Sequence, residues 1–252
     1  MKIRVMTYNI AGGRCFEVAE KQQVKPEACA AVIAEYVPDI CGLNEVDFHL
    51  PRSGRIDLAA DIGKIVGMKS VFARAVTWGE GDYGNGFLSR LPIIGYEDII
   101  VPDPTDKSEP TYYETRCILR LTVDFGGREA DVIVTHFGLA KTERDESIKI
   151  LTSLIDGRTR PLILMGDFNI EPDDPQLAPI YQRLHDTFAV YPEKFKRTYP
   201  SRNDLPRLSD VCRERGLKID YIFVSDEFKV DKVTIPETIA SDHVPYIADV
   251  EL

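Results

Sequence analysis

No stretch of the 252-residue chain is apolar for long enough to cross a bilayer. The first ten residues, MKIRVMTYNI, alternate apolar with polar side chains and lack the apolar core of a secretory signal, so a soluble, cytoplasmic protein is expected. Cysteine is sparse and unordered. Cys15, Cys29, Cys41, Cys117 and Cys212 are odd in number, widely spaced and include no CxxC pair, which indicates neither a disulfide framework nor a zinc knuckle and predicts buried thiols. Repeats, low-complexity tracts and Pro/Gly-rich linkers are absent, and one domain over 1–252 is expected. Positive charge is also short: 31 Lys plus Arg stand against 41 Asp plus Glu, for a net charge of −10. A grip on long nucleic acid draws on phosphate neutralisation by basic surface, and this balance disfavours it. Only the segment from Lys194 to Lys218 departs, carrying Lys194, Lys196, Arg197, Arg202, Arg207, Arg213, Arg215 and Lys218 against Asp204, Asp210 and Glu214.

What is present is strand after strand. Asp39 to Leu43 and Pro161 to Met165 are apolar runs too short for helices, as expected of strands buried on both faces. Each runs into a polar cluster: Asn44-Glu45 after the first, Gly166-Asp167-Phe168-Asn169 after the second. Asp131 to Thr135 likewise runs into His136. Ligand sites of α/β proteins collect at such strand ends. Further strands are expected over Lys2–Asn9, Ser70–Thr77, Asn85–Ser89, Ile93–Val101, Arg116–Val123, Tyr221–Val224, Lys229–Ile235 and Tyr246–Leu252. Two amphipathic helices are expected: Pro26 to Val37, with proline suited to its first turn, and Thr142 to Ile155, with Thr142 as cap and Asp145 three residues on.

Singly, the polar motifs are modest. Asn9 closes the first strand as turn residues often do, Glu45 reads equally as a surface charge, and His136 as a hydrogen-bonded structural histidine. Asp167 and Asn169, two residues apart, can address one small target, although turns favour the same residue types. Asp220 opens the hydrophobic run Tyr221–Val224, and Asp242-His243 precedes the last strand.

Together and in this order, Asn9, Asn44-Glu45, His136, Asp167-Phe168-Asn169, Asp220 and Asp242-His243 resemble the endonuclease/exonuclease/phosphatase superfamily, with its deoxyribonuclease-I-like fold. Tyr83-Gly84-Asn85-Gly86-Phe87-Leu88-Ser89-Arg90 and Glu114-Thr115-Arg116 add to the resemblance, which runs from Met1 to Leu252. It implies an α/β (α+β) fold, a four-layer α/β/β/α sandwich of two packed mixed β-sheets flanked by helices. It also implies a metal-dependent phosphoric ester hydrolase using Mg²⁺, with Mn²⁺ as a substitute.

The chemistry accounts for the residue types. A phosphoester is anionic, so hydrolysis needs charge neutralisation, an activated in-line water and help for the leaving oxygen. Mg²⁺ takes hard oxygen ligands and keeps several waters, so few carboxylates suffice. On the resemblance, Glu45 is the first metal ligand, and Asn9, through its amide oxygen, and Asp242 belong to the metal's inner or outer shell. Asp220 fixes the His243 imidazole, a proton-transfer residue. Asp167 and Asn169 orient the attacking water, with either Asp167 or His243 as base. His136 and Asn85 donate to phosphoryl oxygens. Arg116 binds substrate or simply neutralises nearby acid. Substrate choice is assigned to two loops, Val101 to Glu114 and the basic Thr198 to Lys218, whose Arg202 and Arg207 would hold the substrate's anionic part unless the loop is merely solvated. A small or lipid-derived phosphorylated substrate fits an acidic protein best. DNA cleavage is the alternative, and a catalytically inactive binding protein is opposed by the intact acids and histidines.

Overall fold

The computed structural model describes residues 1–18 and 22–252. In chain order its strands and helices are β1 (Lys2–Asn9), β2 (Arg14–Cys15), β3 (Gln23–Val24), α1 (Pro26–Tyr36), β4 (Ile40–Phe48), α2 (Leu58–Val66), β5 (Lys69–Trp78), β6 (Gly81–Ser89), β7 (Ile93–Val101), β8 (Arg116–Asp124), β9 (Glu129–His136), α3 (Lys141–Asp156), β10 (Leu162–Asp167), α4 (Ala178–Tyr181), β11 (His185–Asp186), α5 (Asp210–Glu214), β12 (Asp220–Val224), β13 (Lys229–Thr234) and β14 (Tyr246–Glu251). The expected strands are present with shifted ends. Helix α1 stops one residue early, because Val37 turns into the left-handed region. Helix α3 begins at Lys141 instead of at a Thr142 cap. Its opening N–H, that of Ala140, is taken by the Glu143 carboxylate, and Thr142 lies inside the first turn bonded to Glu109.

Two mixed six-stranded sheets form, in the orders β13-β14-β1-β4-β6-β5 and β11-β12-β10-β9-β8-β7. Each holds one parallel pair, β1 with β4 and β9 with β10, flanked by antiparallel neighbours. The sheets therefore repeat one pattern. Inward side chains of both, among them Val5, Ile40, Phe87, Leu119, Val132 and Ile163, make the core between them. At Gly42 the sheets approach so closely that an added Cβ would lie 2.8 Å from Met165 Sδ.

The outer face of the first sheet, through Met6, Tyr8, Cys41 and Leu43, packs on Cys29 and Ile33 of α1 and Ile62 of α2. That of the second, through Ile133, Leu164 and Phe223, packs on Ile148, Leu151 and Ile155 of α3. The result is the four-layer α/β/β/α sandwich. All five cysteines are free and buried, and burial pushes the Cys29 and Cys117 thiols up to about 12, leaving them unreactive. Among the described residues no helix is long and apolar enough to cross a membrane.

Register brings the polar strand ends into line. Asn9 of β1 lies beside Asn44 of β4, while Asp167 of β10 lies between His136 of β9 and Asp220 of β12. Both parallel pairs thus deliver their carboxyl ends to one edge of the sandwich.

Candidate active site

Two local irregularities shape that edge. A bulge in β4 between Leu43 and Val46 sets Asn44 and Glu45 outside the ladder with β6, and Glu45 adopts a left-handed backbone, φ 55°. In β10, Gly166 has φ 145° and an added Cβ would lie 1.8 Å from the Thr135 carbonyl oxygen, so only glycine lets β10 present Asp167 beside β9.

Amides stitch the floor together. The Asn44 oxygen accepts from the Asp167 N–H at 2.9 Å, and its nitrogen donates to Asn85 Oδ1 at 2.8 Å and to the Thr135 carbonyl at 2.9 Å. Asn85 in turn donates to the Cys117 carbonyl at 2.9 Å. Asn85, read from the sequence as a phosphoryl donor, is buried here and its amide joins the sheets. Asn9 belongs to the same network. Its oxygen accepts from the Ala11 N–H at 3.0 Å, while its nitrogen bridges Glu45 Oε1 at 3.1 Å and Asp167 Oδ2 at 3.0 Å. It fixes two carboxylates.

His243 Nδ1 donates to Asp220 Oδ2 at 2.9 Å, leaving Nε2 to face Asp167 Oδ2 at 3.6 Å. The backbone N–H groups of Ile219 and Asp220 donate to Thr198 Oγ1, anchoring the strand end, and the Tyr199 ring packs 4.8 Å from the His243 ring. Burial would lower the His243 pKa, but Asp220, Asp167 and Asp242 outweigh it and push it up to about 10.

His136 sits on the other side of Asp167, its Nε2 also 3.6 Å from Oδ2. Arg116 Nη1 lies 3.2 Å from His136 Nδ1, and a guanidinium can only donate, so Nδ1 accepts and the proton is on Nε2. Asn169 Nδ2, 3.3 Å from that Nε2, sends its hydrogen to the Phe137 carbonyl instead, at 2.9 Å. Burial, with Arg116 and His243 adding, lowers the His136 pKa well below its usual value, so the ring is neutral. Arg116 is held by Glu114, whose own N–H donates to Glu143 at 2.7 Å.

Carboxylates crowd this floor. Burial, helped by Asp220 and opposed by His243, pulls Asp167 up to about 7, and burial with Glu45 nearby raises Asp242. The described donor atoms of Asp167, Asp220 and His243 lie within 4.8 Å of one another. Asp220 and His243 spend their facing atoms on each other, whereas Glu45 and Asp242 add hard oxygens to the same cleft. Such a set suits a hard dication, whose charge would relieve the crowding.

Glu45, His136, Asp167, Asn169, Asp242 and His243 line one cleft of about 600 Å³, with Arg116 in its wall and Asn9 and Asp220 bonded behind. The two loop arginines do not line it. Arg202, expected from the sequence to hold substrate, forks onto Asp204, both bonds 2.6 Å, and donates to the Phe16 and Glu17 carbonyls, which staples the loop. Arg207 lines a neighbouring hollow with Phe16 and Leu205, which shares Tyr199 and Asp242 with the main cleft. Sequence reasoning gave Asn44 no role of its own and passed over Arg52 and Trp78. Asn44 was adjacent to a flagged acid, whereas nothing in the spacing pointed to the other two.

Two packed mixed sheets with acids, amides and histidines at their shared edge define a phosphoester hydrolase. The chain belongs to the Endonuclease/Exonuclease/phosphatase family, whose profile matches residues 6–243. It is 28% identical to the uncharacterized protein YbhP of Escherichia coli K12 over 99% of this chain and 96% of that one. Among solved structures it is similar to an endonuclease/exonuclease/phosphatase from Beutenbergia cavernae (26% identity, TM-score 0.73, 100% of this chain and 72% of that one). It is also similar in fold to the mannosyl-6-phosphatase Bt3783 of Bacteroides thetaiotaomicron (19% identity, TM-score 0.74, 99% and 100%).

Proposed function

We propose that this protein is a Mg²⁺-dependent phosphoester hydrolase, with Mn²⁺ as a substitute, acting on a small or lipid-derived phosphorylated substrate. The observation carrying this reading is Asp167 Oδ2, set 3.6 Å from the Nε2 atoms of both His136 and His243. Between two N–H donors, Asp167 is the acceptor suited to take the proton of an attacking water, and Asn169 orients that water. His243, held by Asp220, and neutral His136 donate to phosphoryl oxygens as charge grows on them. Glu45 and Asp242 would hold the cation, which neutralises phosphoryl charge when bound.

A nucleic-acid substrate is the second reading, since nuclease activity belongs to the family. The net charge of −10 and the pairing of Arg202 within its own loop weigh against it. The test is a panel of aryl phosphate mono- and diesters, phospholipids, sugar phosphates, nucleotides and abasic DNA, each with Mg²⁺ and with chelator. Turnover of a small or lipid-derived ester, abolished by chelator, is expected. Turnover confined to DNA would establish the second reading, and turnover of nothing would leave the chain a binding protein.

A further inference from the structure

One wall of the cleft is built as a rigid platform. Trp78, the single tryptophan of the chain, stacks on Tyr83 with ring centroids 4.6 Å apart and an interplanar angle of 16°. The Arg52 guanidinium lies over both rings, 5.0 Å from the Trp78 centroid and 5.5 Å from that of Tyr83. It is locked there by Asp47, whose side chain is fully buried: Nε donates to Oδ2 at 2.8 Å and Nη2 to Oδ1 at 2.7 Å. Arg52 itself stays half exposed, and Arg52, Trp78 and Tyr112 line the same cleft as Glu45 and His243.

The polar atoms left over are of one kind. Among the described residues, Arg52 Nη1 and the Trp78 indole N–H have no hydrogen-bond partner, and both are donors without acceptor capacity. Tyr112, 61% exposed at the rim, adds a hydroxyl. The nearby acids are directed elsewhere, Glu45 to Asn9 and Glu114 to Arg116. A cation held flat on stacked rings loses little freedom when it binds, so it forms a strong charge-assisted contact at small entropic cost. A neutral apolar group would strand these donors, and a cationic group would meet the guanidinium.

We propose that Arg52, Trp78 and Tyr112 form a subsite for a second anionic group of the substrate, a phosphate or carboxylate carried on its non-reacting part. The proposal rests on the hydrolase reading above, and it makes the preferred substrate a phosphoester with two anionic centres. The platform binds the distal centre while the floor acts on the proximal one.

Because Trp78 is the single tryptophan, its fluorescence reports on the platform without turnover. The wild-type protein with Mg²⁺ is titrated with phenylphosphonate and with its para-phosphonomethyl derivative, alongside kinetics on the corresponding phenyl phosphates and their methyl diesters. The doubly anionic probe is expected to bind about tenfold more tightly and to shift Trp78 emission. Arg52→Met should remove most of that preference, raising KM for the charged ester about tenfold more than for the plain one, and Arg52→Lys, which keeps a cation beside Asp47, should retain part of it. Equal affinity for both probes, or a preference surviving in R52M, overturns the subsite. If no ester is turned over, the hydrolase reading fails, while the fluorescence titration still decides the subsite.

Discussion

Two regions carry most of the charge that drew attention in the sequence, and they are built in opposite ways. At the sandwich edge Asp167, Asp220 and His243 are nearly fully buried and lean on one another and on amides. In the stretch from Lys194 to Lys218, several basic side chains are spent on acids, some of them distant in sequence: Arg215 on Glu171, Lys196 on Glu237 and Arg202 on nearby Asp204. Lys218 is fully buried there, 3.3 Å from the Tyr221 ring centroid and 3.6 Å from Asp186. The difference teaches that local charge density is a poor guide to a binding surface. What matters is whether folding has already supplied each charge with a partner.

The sharpest way to break the comparison is at the floor. Asp167→Asn is expected to lower kcat by about 10³-fold, on the scale of losing a general base, while circular dichroism and thermal melting stay close to wild type. Activity within a few-fold of wild type would remove Asp167 from the chemistry.

Next comes Lys218, where the basic segment dips into the interior. Burial lowers its pKa from 10.5 to about 8, against the opposing pull of Asp186 and Asp220. Between those values the unfolded chain binds more protons than the folded one, so this residue's cost to stability is full below pH 8 and fades as pH rises towards 10.5. Wild type should therefore gain stability relative to Lys218→Met across that window in urea titrations at paired pH values. A constant difference would show that the ammonium is not desolvated as the geometry implies.

The smallest effects belong to the loop arginines. Arg202→Ala should cost about 0.2–1 kcal/mol, as partly exposed ion pairs do, and change KM less than about twofold. Arg207→Ala, facing the neighbouring hollow, should do no more to KM on a minimal aryl diester. A tenfold rise in KM for either would return the loop to substrate binding.

Much of the architecture was readable because β4 and β10 are buried on both faces, which leaves continuous apolar runs ending abruptly in polar residues. Helix α2 went unread because it has nine residues and carries Gly63, although Asp57 caps it through the Ala60 N–H. At the site, sequence order gave identities but no directions. Asn85 and Asn9 occupy the expected strands, yet their amides turn to Cys117, Glu45 and Asp167, and neither spacing nor residue type encodes that rotation. Two partners of Arg202, the carbonyls of Phe16 and Glu17, lie far back in the chain, where no local pattern points to them. Arg52, in the turn after β4, meets Trp78, at the end of β5, because both strands pair with β6, so no periodicity announces them.

The measurement that bears most directly on the floor as a metal-dependent centre is the Mg²⁺ dependence of bis-p-nitrophenyl phosphate hydrolysis by wild type and Glu45→Gln. The account predicts no turnover after chelation, recovery on adding Mg²⁺, and a half-saturating Mg²⁺ concentration raised about 10- to 100-fold in the variant, because a neutral amide is a poorer ligand for a hard dication. Turnover that survives chelation, or identical Mg²⁺ curves for the two proteins, would contradict it.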